Sequence, residues 1–158
     1  MSEDPVSRDR DPAGRPRNAR PRDALGRPLP KGATGVERVP DDYVPGAEQA
    51  LDDAVRYLSE GRPFHAHEVL EARWKTGPPQ ERELWQGLAQ ICVGLTHIQR
   101  GNIRGATTLL NRGADRIARF GFDETVRVAR DLAEHPAADA AAAITRVADV
   151  LKAAGRPV

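Results

Sequence analysis

The stretch ELWQGLAQICVGLTHIQRGN, residues 83–102, decides how the rest of the chain must be read. Leu84, Trp85, Leu88, Ala89, Ile91, Cys92, Val93, Leu95 and Ile98 put apolar groups on most sides of a helix. A helix with so little wet circumference has to be surrounded by others. The spacing therefore predicts a central helix over about residues 81–100, stopped by Gly101, within an all-α bundle.

Both flanks keep the helical period. Upstream, TGPP (residues 76–79) breaks FHAHEVLEARWK (residues 64–75), and Pro63 sits where a first-turn proline is tolerated. Before Gly61, a first helix from Ala47 carries Leu51, Ala54, Val55 and Leu58 on one face. Downstream, Ile103, Ala106, Leu110, Ala114 and Ile117 give a fourth helix reaching Phe120 and closed by Gly121. Asp123 is the expected cap of a fifth helix that Pro136 ends, and Ala-rich residues 137–154 make a sixth. No stretch alternates as a strand does. The expected fold is all-α, a multi-helical bundle of five to six helices around a buried central helix, formed by residues 45–158.

Residues 1–44 read differently. Eight of the thirteen prolines fall in residues 1–45, and apolar periodicity is lacking, so an irregular Pro/Arg-rich arm is expected there. Between Arg8 and Lys31 it carries eight basic and three acidic residues, but no aromatic side chain interleaves them. A solvated tail, an arm that touches an acidic partner, and a strap lying across the domain through Leu25 and Leu29 all fit that pattern.

Across all 158 residues, 24 basic side chains face 23 acidic ones, a balance that argues against a dedicated nucleic-acid or membrane binder. Any nucleic-acid contact would fall to the arm. The Arg-heavy basic set and abundant Ala, Gly and Pro point to a GC-rich bacterial genome, and the scattered Gly-Arg-Pro tripeptides are too irregular for a repeat. Cys92 is the only cysteine, so no disulfide framework or Cys-based zinc site forms within the chain. No apolar run spans a bilayer and the N-terminus has no signal-peptide pattern, which makes a cytoplasmic protein the expectation.

Chemistry concentrates on the second helix. His67, Glu71 and Trp74, at i, i+4 and i+7, share a face flanked by Phe64 and Leu70. An imidazole and a carboxylate in an apolar stripe need each other or a third group, because unpartnered burial costs several kcal/mol. On the central helix Gln86, Gln90 and His97 lie within about 40° of one another, bordered by Gly87 and Gly94. Two small residues on one side would admit a neighbouring helix closely. The simplest assembly sets the second helix there and gathers His67, Glu71, Trp74, Gln90 and His97 into one pocket.

Three uses of that pocket are open. It is a hydrogen-bond network fixing helix register; a divalent metal site of His67, Glu71 and His97, completed by water or Gln90; or a general acid/base pair acting on an organic substrate. HEVLE (residues 67–71) lacks the second His of an HExxH metalloprotease helix, and paired Glu-x-x-His motifs of a di-iron bundle are missing. His65, on the helix flank, and His135, before a proline, are expected in solvent. Trp74 and Trp85 read as core aromatics, and Asn111 and Asp115, beside Arg112 and Arg116, as surface salt-bridging groups.

FHAHEVLEARWK, ELWQGLAQICVGLTHIQRGN and GATTLLNRGADRIARF together resemble the prokaryotic domain of unknown function 309 family over about residues 45–120. The family pattern HxxxExxW is met by His67, Glu71 and Trp74, and the likeness extends to Arg100–Asn102. The resemblance implies a compact multi-helical fold with a buried central helix and no established activity. It also implies a motif for which metal binding has been suggested. The arm resembles an extension of actinobacterial members. The functional expectation is a cytoplasmic helical protein whose pocket binds a divalent metal or small ligand; its rival is a non-catalytic structural or protein-interaction module.

Overall fold

The computed structural model describes residues 39, 40, 42–136 and 139–154, so all but the last few residues of the expected Pro/Arg arm lie outside the described residues. Six helices follow one another: α1 (Ala47–Ser59), α2 (Pro63–Thr76), α3 (Arg82–Gln99), α4 (Ile103–Ile117), α5 (Asp123–Glu134) and α6 (Ala140–Ala153). A 3-10 turn, Pro79–Glu81, leads into α3. Among the described residues there is no strand. The all-α expectation holds.

Glycines end the helices where the sequence places them. Gly61, Gly101 and Gly121 have φ of 73°, 77° and 84°, a left-handed conformation that side chains with a Cβ resist. Each lets the chain double back after α1, α3 or α4. Two boundaries differ from expectation: α4 stops at Ile117 and reaches Gly121 through a turn. Asp123 is the first residue of α5 rather than its cap, and acts there by placing negative charge at the positive end of the helix. Side-chain caps are found at Asn102, which accepts from the Gly105 N–H, and at Asp139, which accepts from Ala141.

Helices pack chiefly on their chain neighbours, and α6 returns to close on α1. Helix α3 lies between α2 and α4 and also meets α6. Eleven of its 18 residues are buried, with Trp85 and Leu95 fully enclosed, which fits its expected central role. Fully burying one such side chain stabilises by roughly 1.5–3 kcal/mol. Its Gln86, Gln90, Val93 and His97 stripe is only half-buried.

Gly87 and Gly94 do let a helix approach, but it is α4 and not α2. A Cβ on Gly87 would sit 2.6 Å from Ile117 Cγ2, and one on Gly94 2.9 Å from Leu110 Cγ. The reason is reciprocal: α4 offers its own glycine, Gly113, whose added Cβ would fall 2.6 Å from the Gly87 carbonyl oxygen. Helix α2 carries no glycine of its own. It packs on both α1 and α3, with Ala66, Val69 and Leu70 buried.

Candidate functional site

The buried face of α2 runs through Pro63, His65, Ala66, Val69 and Leu70. At 100° per residue, His67, Glu71 and Trp74 lie roughly 80–140° from Ala66, on the flank of that face rather than at its centre. His67 and Glu71 side chains keep 19% and 37% of their exposure. Trp74 is partly buried against the core. The three share one stripe, as expected, but it borders solvent.

His67 is held at both nitrogens. Nδ1 lies 3.0 Å from the Phe64 carbonyl oxygen, one turn back, and Nε2 lies 3.1 Å from Glu71 Oε2, one turn on. A carbonyl can only accept, so Nδ1 carries a proton and Nε2 is the nitrogen presented to the carboxylate. The Phe64 ring stands 5.2 Å from the imidazole and limits its rotation. Glu71 also accepts from Lys75 Nζ at 2.8 Å. The hydrogen bond from His67 holds the Glu71 pKa down to about 2; burial pulls upward, and Lys75 adds to the lowering. Glu71 is a carboxylate at any ordinary pH.

The remaining residues of the expected pocket point their bonds elsewhere. His97 Nδ1 lies 3.1 Å from Asn102 Nδ2, and Asn102 Oδ1 is occupied by the Gly105 N–H. That second bond fixes the amide so that Nδ2 donates, leaving the neutral His97 ring with its proton on Nε2. Burial, and then the nearby Arg100 charge, lower the His97 pKa and favour this neutral form. Gln86 Oε1 accepts from Arg116 of α4 at 3.1 Å. Gln90 Oε1 is buried without a partner among the described residues. The stripe on α3 thus bonds towards α4 and the α3–α4 turn, because the glycine contact draws α4 to that side. Among the described residues no three His, Cys, Asp or Glu side chains are grouped to hold a metal, so His67, Glu71 and His97 do not form one ligand set.

Two histidine expectations separate. His135 is exposed, while His65, expected in solvent, is fully buried, with its ring centroid 5.8 Å from Tyr57 and 5.9 Å from Phe64. The cause is its place on α2: residue 65 lies on the same side as Val69 and turns towards α1, which packs there. Asp115 and Arg116 form ion pairs, but with Arg130 of α5 and Glu83 of α3 rather than with each other.

A second network was missed in the sequence. At the far end of α2, Arg73 Nη2 donates to Glu81 Oε1 at 2.8 Å, and Trp85 Nε1 donates to the same oxygen at 2.8 Å. The Arg73 guanidinium also stands 5.8 Å from the Trp85 ring. Burial works to raise the Glu81 pKa, but these two hydrogen bonds outweigh it and hold it below its ordinary value. The Glu81–Trp85 spacing of one helical turn was the available signal; the Arg73 contact arises only from the chain reversal at Gly77–Pro79. Tyr43, whose hydroxyl donates to Asp53 at 2.5 Å, similarly ties the residues before α1 to that helix.

Comparison with known proteins bears on the same helices. Residues 51–109 match the family described as Domain of unknown function (DUF309). A curated relative, the uncharacterized protein YpuF of Bacillus subtilis (strain 168), is 38% identical over 61 residues, covering 38% of this chain. The match spans about a third, 35%, of the relative's length. No solved structure matches the chain. Among the described residues no helix is long and apolar enough to cross a membrane. Residues 51–109, which run from α1 through α2 and α3 into α4 and carry His67, Glu71 and Trp74, are thus similar to the domain of unknown function 309 family.

Proposed function

We propose that this chain is a ligand-binding helical module whose recognition element is the His67–Glu71 pair, with a divalent cation as the ligand it suits best. One observation carries the reading: among the described residues, every hydrogen bond of the pair stays within α2, to Phe64, to each other and to Lys75. A pair that ties no second helix does little for the fold, yet its ring is locked at Nδ1 and its carboxylate is ionised. Nδ1–H bound to a carbonyl is the arrangement that frees Nε2 to ligate. The 3.1 Å between Nε2 and Oε2 is within the span of two adjacent ligands of one ion, given metal–ligand distances of about 2.0–2.2 Å. Two protein ligands leave the rest of the shell to water or to a bound small molecule. The cation would supply Lewis acidity and a place for an anionic group.

The second reading, a non-catalytic module, rests on the same bonds. With both nitrogens facing acceptors, a doubly protonated ring satisfies them without any ligand. Binding separates the two. Untagged protein titrated with Zn2+ or Mn2+ by calorimetry binds with proton release, binding weakens as pH falls, and both His67→Ala and Glu71→Gln abolish it while melting hardly moves. Absence of saturable binding by the intact protein, together with strongly lowered melting in both variants, selects the structural module.

A further inference from the structure

The near-even charge of the whole chain hides a separation along it. Residues 42–60, the approach to α1 and the helix itself with its cap, hold Asp42, Glu48, Asp52, Asp53 and Glu60 against one basic residue, Arg56. Residues 15–31 hold Arg15, Arg17, Arg20, Arg22, Arg27 and Lys31 against one acidic residue, Asp23. Opposite charges on two stretches joined by a short linker meet at an effective concentration of about millimolar. A contact too weak to hold two separate molecules together is then populated within one chain.

The first helix also offers a place for apolar side chains. A depression of about 520 Å3 lies between α1 and the end of α6. Leu51 and Leu151, both buried, form its floor and half-buried Val55 its wall, while Asp52, Ser59 and Lys152 stand exposed at the rim. Arg56, also at the rim, is turned to Asp53 and Glu60 at 3.9 and 3.7 Å, which offsets its charge there.

The arm joins the domain within reach of this place. Val39 packs against the core and the Tyr43 hydroxyl bonds to Asp53, so the chain enters alongside α1. The ten residues from Leu29 to Val39 can span up to about 33 Å, whereas a helix with its side chains is about 10–12 Å across. Within the basic stretch, Leu25 and Leu29 are its two large apolar residues.

We infer that residues 15–31 of the arm dock on the domain's own first helix. Leu25 and Leu29 occupy the depression over Leu51, Val55 and Leu151, and the arginines face the acidic side chains of α1. This surface is independent of His67 and Glu71.

The test places a nitroxide on Ala24→Cys in the 15N-labelled full chain; Cys92 is buried and escapes the label. Amide broadening is expected to be strongest at residues 51–59 of α1 and 149–152 of α6, and weakest on α4. Leu25→Asp combined with Leu29→Asp changes none of the six helices and should abolish that broadening. Asp52→Lys, at an exposed position on the rim, should reduce it. Broadening spread evenly over the domain, or unchanged in the leucine variant, would overturn the inference. So would broadening seen only between a nitroxide-bearing chain and a 15N-labelled chain without one, which makes a second copy the occupant.

Discussion

The two ends of α2 carry two polar networks built from similar groups, and they serve different ends. Arg73–Glu81–Trp85 joins α2 to the turn and first residues of α3, and Trp85, which shares the Glu81 oxygen with Arg73, is wholly buried. His67–Glu71 joins α2 only to itself and stands half in solvent. A network that bridges elements has its entropy cost offset by fixing how the helices meet, whereas an i,i+4 pair on one helix adds only about 0.3–0.5 kcal/mol. The contrast teaches which network the fold depends on, and it leaves the weaker one unexplained by stability.

The contrast can be tested by substitution. Trp85→Ala removes one of the two donors to Glu81 and the largest enclosed side chain among the described residues, and should cost about 3–5 kcal/mol in denaturant unfolding. Glu81→Gln keeps the shape but loses the charge shared by Arg73 and Trp85; a loss of about 1–2 kcal/mol is expected from the same measurement. His67→Ala should shift stability by no more than about 0.5 kcal/mol. If His67→Ala proves as damaging as Glu81→Gln, the two networks do not differ as described.

The smallest effect is one of pH. Because the folded-state pKa of Glu71 is depressed to about 2 from 4.5, its contribution is complete above pH 4.5. It is lost as pH falls through 4.5 towards 2. Carbon-detected titration of the Glu71 carboxyl should show a midpoint below 4.5 that moves up in His67→Ala. A midpoint already near 4.5 in the unaltered protein would mean that the pair is not formed in solution.

Much of the fold was legible because it is punctuated. Gly61, Gly101 and Gly121 each stop a helix by a backbone conformation that few other residues adopt, and Pro63 begins one. Burial on α2 was harder to read, since apolar or small residues lie around much of its circumference, and His65 and His67 point about 160° apart, so the choice of buried face decides which of them reaches the core. The sequence pattern could place His67 and Glu71 on one face, but it could not say which neighbour would claim the face beyond. That was settled by Gly113, a residue of α4 whose partner glycine on α3 is 26 positions earlier, and it turned Gln86 and His97 away from the expected pocket. Asn102 belongs to the Arg100–Asn102 motif, and its work as a cap and as the partner of His97 arises only once the α3–α4 turn has folded.

The order of the helices has a kinetic consequence. Contacts between α2 and α3, α3 and α4, and α4 and α5 all join segments adjacent in sequence, while α1 against α6 joins the two ends of the described chain. Closing short loops costs little entropy and closing a long one costs more, so the interior hairpins should assemble early and the α1–α6 seam late. The same seam is then the first to open in native fluctuations, which would give the amides of α1 and α6 faster hydrogen exchange than those of α3.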